Sequence, residues 1–250
     1  MIHSFLLIGQ SNMAGRGFID EVERISNPRL KVLRNGRWQG MYVPVNCDRA
    51  FSGVSLAESF ADIYSKEHNV DVGLIPCADG GTSLDQWRVG GLLYDHAVYQ
   101  TKLAMRTSTV AGVLWHQGEA DCSDNLYPFY EEKFVKIMNG LRKELNLYDV
   151  PFILGGLGTF LADCIFDDKL KNYTYVNKAL ENIAKHNEMT GFVCADGLTS
   201  NPDKLHFNSK SLREFGKRYY AEFLKLEDKN KIFIEKLSED DAVRTAMEEL

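Results

Sequence analysis

A chain of 250 residues, 44% hydrophobic and 26% charged, has the make-up of an ordinary folded protein. That excludes a largely disordered polypeptide and allows one sizeable core. The formal net charge of −6 argues against a nucleic-acid footprint, and no apolar run reaches the length of a membrane span.

In chain order, short apolar runs alternate with amphipathic stretches. Strands are predicted at Ser4–Ile8, Val70–Pro76, Val110–Trp115, Pro151–Leu154 and Gly191–Cys194. The N-terminus lacks a basic region followed by a long apolar stretch, so no secretory signal is read and a cytoplasmic location is expected. Leu56–Tyr64 reads as a helix opened by the capping box Ser55-Leu56-Ala57-Glu58. Tyr130, Phe134, Ile137, Leu141 and Leu145 share one helical face, as do Val176, Ala179, Leu180 and Ile183. Leu212, Phe215, Tyr219 and Phe223 form a last stripe, with Ser211 and Glu214 spaced as a second box. Five strands separated by helices predict an α/β fold: a three-layer sandwich around a parallel five-stranded sheet.

Residues 20–52 break this rhythm. Asn27-Pro28, Asn35-Gly36 and short apolar pieces mark an insertion with a small hairpin, placed to form one wall of a cleft. Phe160–Asn172 reads as a second surface loop. Residues 1–226 are expected to form a single domain, and the charged tail 227–250 a helix. The cysteines Cys47, Cys77, Cys122, Cys164 and Cys194 are odd in number and never spaced C-x-x-C. Neither a disulfide framework nor a cysteine zinc site is expected, and Cys77 and Cys194 read as small buried hydrophobes. A reducing compartment fits this pattern.

The chemistry concentrates at strand ends. Ser4–Ile8 runs into Gly9-Gln10-Ser11-Asn12-Met13-Ala14-Gly15-Arg16-Gly17, which delivers Ser11 where open α/β sheets bind ligands. A helix starting there would aim free N–H groups at the hydroxyl. Taken alone, the stretch fits a helix-capping serine more often than a nucleophile. Asp203-Lys204-Leu205-His206 sits after the last strand, and a carboxylate three residues before a histidine can fold back to accept from its Nδ1–H. Asp79-Gly80-Gly81-Thr82 follows the second strand, where glycine permits close backbone approach. His116-Gln117-Gly118-Glu119 follows the third. As metal ligands, His116 and Glu119 lack a third partner. Ser11 is not in a G-x-S-x-G elbow, because residue 13 is methionine.

The Gly9–Gly17 stretch resembles the first signature block of the SGNH hydrolases, more narrowly their carbohydrate-esterase branch of sialate O-acetylesterases and acetylxylan esterases. The glycine, His-Gln-Gly-Glu and Asp-x-x-His segments resemble later blocks, in order. The resemblance spans roughly Phe5 to Tyr219 and leaves the insertion and tail uncovered. It implies an SGNH/flavodoxin-like fold and a serine esterase removing O-acetyl groups from sugars through an acyl-enzyme. Ser11 would be the nucleophile, His206 the base and Asp203 its orienting acid, with Glu119 the rival for that last role. The oxyanion would be held by the N–H groups of Ser11 and Gly81 (Gly80 being the one-residue alternative) and by the Gln117 amide. The wider superfamily has an asparagine where this chain has Gln117. Arg16 and Trp87 are the substrate-contact candidates, Trp87 because an indole can stack on a sugar. No cofactor and no metal are required, and the expected partner is an acetylated sugar rather than nucleic acid or membrane. Other readings are a thioesterase or lipase-like hydrolase of the same superfamily and a non-catalytic carbohydrate-binding module.

Overall fold

The computed structural model describes residues 1–165 and 167–227. Its middle strand is β1 (Ile2–Gly9), buried from His3 onwards, as a strand covered on both faces must be. The others are β2 (Leu30–Arg34), β3 (Arg37–Gly40), β4 (Asp71–Pro76), β5 (Thr109–His116), β6 (Phe152–Gly155) and β7 (Thr190–Val193), in the sheet order β3-β2-β4-β1-β5-β6-β7. All five strands expected from the sequence are present, mutually parallel, in the order β4-β1-β5-β6-β7. That is the flavodoxin-like arrangement, whose order reverses beside β1 and opens a crevice at the carboxyl ends.

The strand count is corrected from five to seven. The extra pair comes from the segment read as an insertion: β2 runs parallel to β4, and β3 returns antiparallel to it. The turn is Asn35-Gly36, with φ of 51° and 73°, the left-handed pair that a tight hairpin demands. Leu30, Val32 and Leu33 are buried against the sheet whereas β3 is partly exposed, so the pair shows little alternation.

Five longer helices cover the sheet: α2 (Ala57–His68), α3 (Leu92–Ala104), α4 (Tyr130–Leu145), α5 (Tyr173–His186) and α6 (Ser209–Glu227). α2 packs on α6, while α3, α4 and α5 pack in sequence. Phe5 joins the first pair to the sheet, its ring centroid 4.9 Å from Phe60, 4.8 Å from Tyr64 and 5.8 Å from Phe223. Removing such a buried ring costs about 3–5 kcal/mol. α2 opens on the expected box: the Ser55 hydroxyl accepts from Ala57 N at 3.2 Å and Glu58 accepts from Ser55 N at 3.1 Å. The second box is not used. α6 starts earlier, Asn208 Oδ1 accepts from Ser211 N, and the Ser211 hydroxyl accepts from Thr199 N at 2.8 Å. α3 was not expected, because exposed Leu92 and Tyr99 blur its buried stripe of Tyr94, Ala97, Val98 and Thr101.

Cys77 is buried as expected, and burial pushes its thiol up. Cys194 is exposed instead. Residues 160–172 are not a plain surface loop. They form two 3-10 turns, Thr159–Asp163 and Asp168–Asn172, that bury Phe160, Leu161 and Leu170. The helix expected over 227–250 lies outside the described residues beyond Glu227. Among the described residues no helix is long and apolar enough to cross a membrane.

Candidate active site

β1 ends where only glycine fits. Gly9 has φ +127°, and a Cβ there would sit 2.0 Å from the carbonyl oxygen of His116 on β5. Gln10 N then donates to that same oxygen at 2.9 Å, and the short helix α1 (Ser11–Ala14) begins. Gln10, not Ser11, holds the cap position, with no side-chain cap bond. The Ser11 hydroxyl is turned to His206 Nε2, 3.0 Å away.

His206 is set by its own loop. Nδ1 lies 2.7 Å from Asp203 Oδ2, while Asp203 Oδ1 accepts from the N–H groups of Leu205 and His206, both at 3.0 Å. Lys204 takes a left-handed conformation, φ +53°, which closes the turn. Burial pushes the Asp203 carboxyl up, but the His206 and Leu205 N–H groups and the imidazole outweigh it and hold the group below the usual carboxylate range. The geometry suits a serine whose proton passes to an imidazole held in one tautomer by a carboxylate.

Glu119 is not at the imidazole, which corrects its reading as an alternative orienting acid: Asp203 already occupies Nδ1. Glu119 Oε1 accepts from Asn12 Nδ2 at 2.6 Å. Asn12 in turn donates to Leu205 O at 3.3 Å and accepts from Phe207 N at 3.0 Å. Glu119 therefore grips the backbone on both sides of His206 through Asn12. Asn12 has no assignment from the sequence because its partners lie in the turn after β5 and on the last loop.

On the other side of Ser11, Gly81 has φ +78° and its N–H meets no acceptor among the described residues. The Gly80 N–H is already given to Asp48 Oδ2 at 2.9 Å, which decides between the two glycines. The Ser11 N–H, in the first turn of α1, is also unspent. Gln117 does not join them. It is fully buried, its Nε2 donates to Thr82 O at 2.9 Å and Asp121 Oδ2 at 2.5 Å, and its Oε1 accepts from Tyr130. Both amide protons are committed inside the protein, which corrects that assignment. Gln10 is the amide that sequence reasoning missed. Its Oε1 accepts from Gly118 N and Ala120 N, both at 3.4 Å. This orients the carboxamide and leaves Nε2 without an acceptor among the described residues, in a side chain lining the same recess as Ser11, Gly81 and His206.

Two recesses flank this centre. One of about 390 Å³ contains Ser11, Gly81 and His206, and one of about 330 Å³ lies beside Phe18, Asn201 and Asp203. Arg16, Phe51 and His206 border both. Arg49 and Phe51 place the inserted segment in the cleft wall, opposite Cys164, Asp167 and Leu170. Trp87 is not in the cleft. It is 0% exposed, and its indole N–H donates to Thr82 at 3.0 Å. Arg16 reaches the cleft, but its charge is spent: it pairs with both oxygens of Asp48, at 3.0 and 2.6 Å, and donates to Gly15 O. Burial pushes Asp48 up, yet the Arg16 and Ser52 hydrogen bonds and the Arg16 charge hold it below the usual range.

With this geometry in view, comparisons with known proteins give a consistent picture. The profile of a family described as "Carbohydrate esterase, sialic acid-specific acetylesterase" matches residues 1–225. A probable carbohydrate esterase of Arabidopsis thaliana is 28% identical over 237 residues, which cover 85% of this chain and 86% of that protein. The X-ray structure of the protein from the same Arabidopsis locus is similar with a TM-score of 0.77 at 26% identity, covering 89% of this chain and 98% of the other. The crystal structure of NanS shares the fold with a TM-score of 0.69 at 17% identity, covering 90% and 97% of the two chains. A carbohydrate acetylesterase from Xanthomonas citri does so with a TM-score of 0.65 at 19% identity, covering 87% of this chain and 54% of that one.

Proposed function

This chain belongs to the carbohydrate esterase family of sialic acid-specific acetylesterases, and from that premise we propose that it removes O-acetyl groups from a carbohydrate through an acyl-enzyme on Ser11. His206 takes the Ser11 proton as the hydroxyl oxygen attacks the acetyl carbonyl. Asp203 keeps the imidazole in the tautomer that accepts at Nε2. The N–H groups of Ser11 and Gly81 and the Gln10 Nε2 hold the negative oxygen of the tetrahedral intermediate, each donor lowering the barrier by about 3 kcal/mol. The intermediate collapses, the C–O bond to the sugar breaks, and His206 gives its proton to the leaving sugar oxygen, which departs as a hydroxyl. Water, deprotonated by His206, then attacks the acetyl-serine, the bond from the acyl carbon to Ser11 Oγ breaks, His206 returns the proton to that oxygen, and acetate leaves.

The observation that carries this reading is the unbroken chain from Ser11 through His206 to Asp203, at 3.0 and 2.7 Å, beside two backbone N–H groups with no acceptor among the described residues. Ser11→Ala tests it. Hydrolysis of 4-nitrophenyl acetate should fall by on the order of 10⁴-fold or more, with an unchanged thermal transition. Near-full turnover in that variant would take the serine out of the mechanism.

A further inference from the structure

The charges around the cleft distinguish between kinds of acetylated sugar. Two guanidinium groups reach it, and each already has an aspartate: Arg16 pairs with Asp48 at 2.6 Å and Arg49 with Asp79 at 2.8 Å. Arg49 also donates to the carbonyls of Asp48 and Gly80, at 2.8 and 2.9 Å. The Arg16 guanidinium carbon lies 5.2 Å from the centre of the Phe51 ring, which covers it from the solvent side. The remaining acidic side chains on the described walls, Asp167, Asp203 and Glu119, have no lysine or further arginine set against them within the two recesses. Among the described residues a carboxylate on the substrate would thus find only cations already paired with aspartates, and several carboxylates of its own sign.

The border shared by the recesses carries one exposed aromatic ring among Arg16, Phe51 and His206. Phe51 is 71% exposed where the recesses meet, and Phe18 is 53% exposed beside the second. An aromatic face left bare beside a reactive serine is a stacking surface for the C–H face of a pyranose. Asp167 spends Oδ1 on Lys169 N, and a carboxylate has further lone pairs for sugar hydroxyls.

We infer that the cleft takes an O-acetylated sugar without a carboxylate, seated on the Phe51 ring between the two recesses, in preference to an O-acetylated sialic acid. This rests on the esterase reading above and narrows its substrate. Charge exclusion and ring stacking are separable, so each is tested on its own.

The experiment uses the whole protein and measures acetate release. The substrates are O-acetyl-N-acetylneuraminic acid, the same compound with its carboxylate converted to a carboxamide, an O-acetylated methyl xyloside, and 4-nitrophenyl acetate as the reference ester. At low ionic strength the carboxamide and the xyloside should exceed the free acid in kcat/KM by about tenfold or more, and added salt should narrow the gap by screening. Asp167→Asn should narrow it as well. Phe51→Ala should raise KM for the xyloside by about fivefold or more, and Phe51→Trp should restore it. A free acid hydrolysed as well as its carboxamide overturns the charge argument, and an unchanged xyloside KM in Phe51→Ala overturns the stacking. Failure to hydrolyse 4-nitrophenyl acetate would instead bring down the serine-esterase reading itself.

Discussion

Two stretches that follow strands at the cleft end of the sheet pair a histidine with an acid three residues away, His116 with Glu119 and Asp203 with His206, and the fold uses them in opposite ways. His116 ends β5, fully buried, with Phe207 and Phe215 edge-on at 5.7 and 5.6 Å and one ring nitrogen 3.2 Å from Gly156 O. Burial holds its protonation below the usual histidine range, so the ring is a neutral packing element. Its acid points away, to Asn12. In the second stretch a left-handed residue folds the carboxylate back onto the ring, and the ring stays half open beside Ser11. Equal spacing therefore carries no function by itself. What matters is whether the histidine lies in a strand, whose register fixes where it points, or in a turn that brings acid and ring together.

Exchanging roles across the two stretches should sharpen that contrast, beginning with the rings. His206→Ala should lower kcat by on the order of 10⁴-fold or more, whereas His116→Gln should act chiefly on the thermal transition. Comparable kcat losses in steady-state assays would erase the distinction. The acids come next. Asp203→Asn should cost on the order of 10³–10⁴-fold in kcat through loss of the correct tautomer. Glu119→Gln should cost about tenfold, because it loosens the grip of Asn12 without touching the imidazole. The reverse order would make Glu119 the orienting acid after all. The two glutamines follow. Gln10→Ala should lower kcat on the order of 10²-fold, while Gln117→Ala should show up as about 1–3 kcal/mol of stability in denaturant titration, from Thr82 O left without its donor and Asp121 Oδ2 keeping only that of Leu84 N.

The last effect is on stability against pH and concerns Asp48. Its folded carboxyl titrates below the ordinary value of about 3.9, so its stabilising share is complete above that pH and is lost as pH falls through the folded value. Asp48→Asn should therefore lose about 3 kcal/mol near neutrality. The gap in Tm from the wild type should close below about pH 4, and a gap constant down to pH 3 would contradict this.

Much of the architecture was legible because periodicity reports burial. The five parallel strands are apolar runs buried on both faces, and they were read directly. β2 and β3 were read as a small hairpin but not as part of the main sheet, because half-exposed β3 lacks a buried run and nothing local pairs β2 with β4. α3 was missed because exposed Leu92 and Tyr99 break its stripe. In the site, Ser11, Gly81, Asp203 and His206 fall together because each sits at a strand end or in a turn with local geometry. Gln117, Gln10 and Trp87 were misjudged or overlooked for the converse reason. Where these amides point depends on partners far along the chain, Thr82 for Gln117 and Gly118 for Gln10, and the burial of the Trp87 indole depends on the packing of the whole fold, which no local pattern encodes.

Asp48 ties together parts of the protein that evolution would be expected to vary separately. It holds the Gly80 N–H on the glycine loop, both Arg16 nitrogens behind the serine helix, and the Ser52 hydroxyl next to Phe51. The stretch proposed to seat the sugar is thereby fastened to the scaffold of Ser11 and Gly81. A transplanted segment that widens the range of sugars while discarding Asp48 or Ser52 should yield a slow catalyst, and one that keeps both a fast one. Homologues with new tastes are accordingly expected to differ around position 51 and agree at position 48.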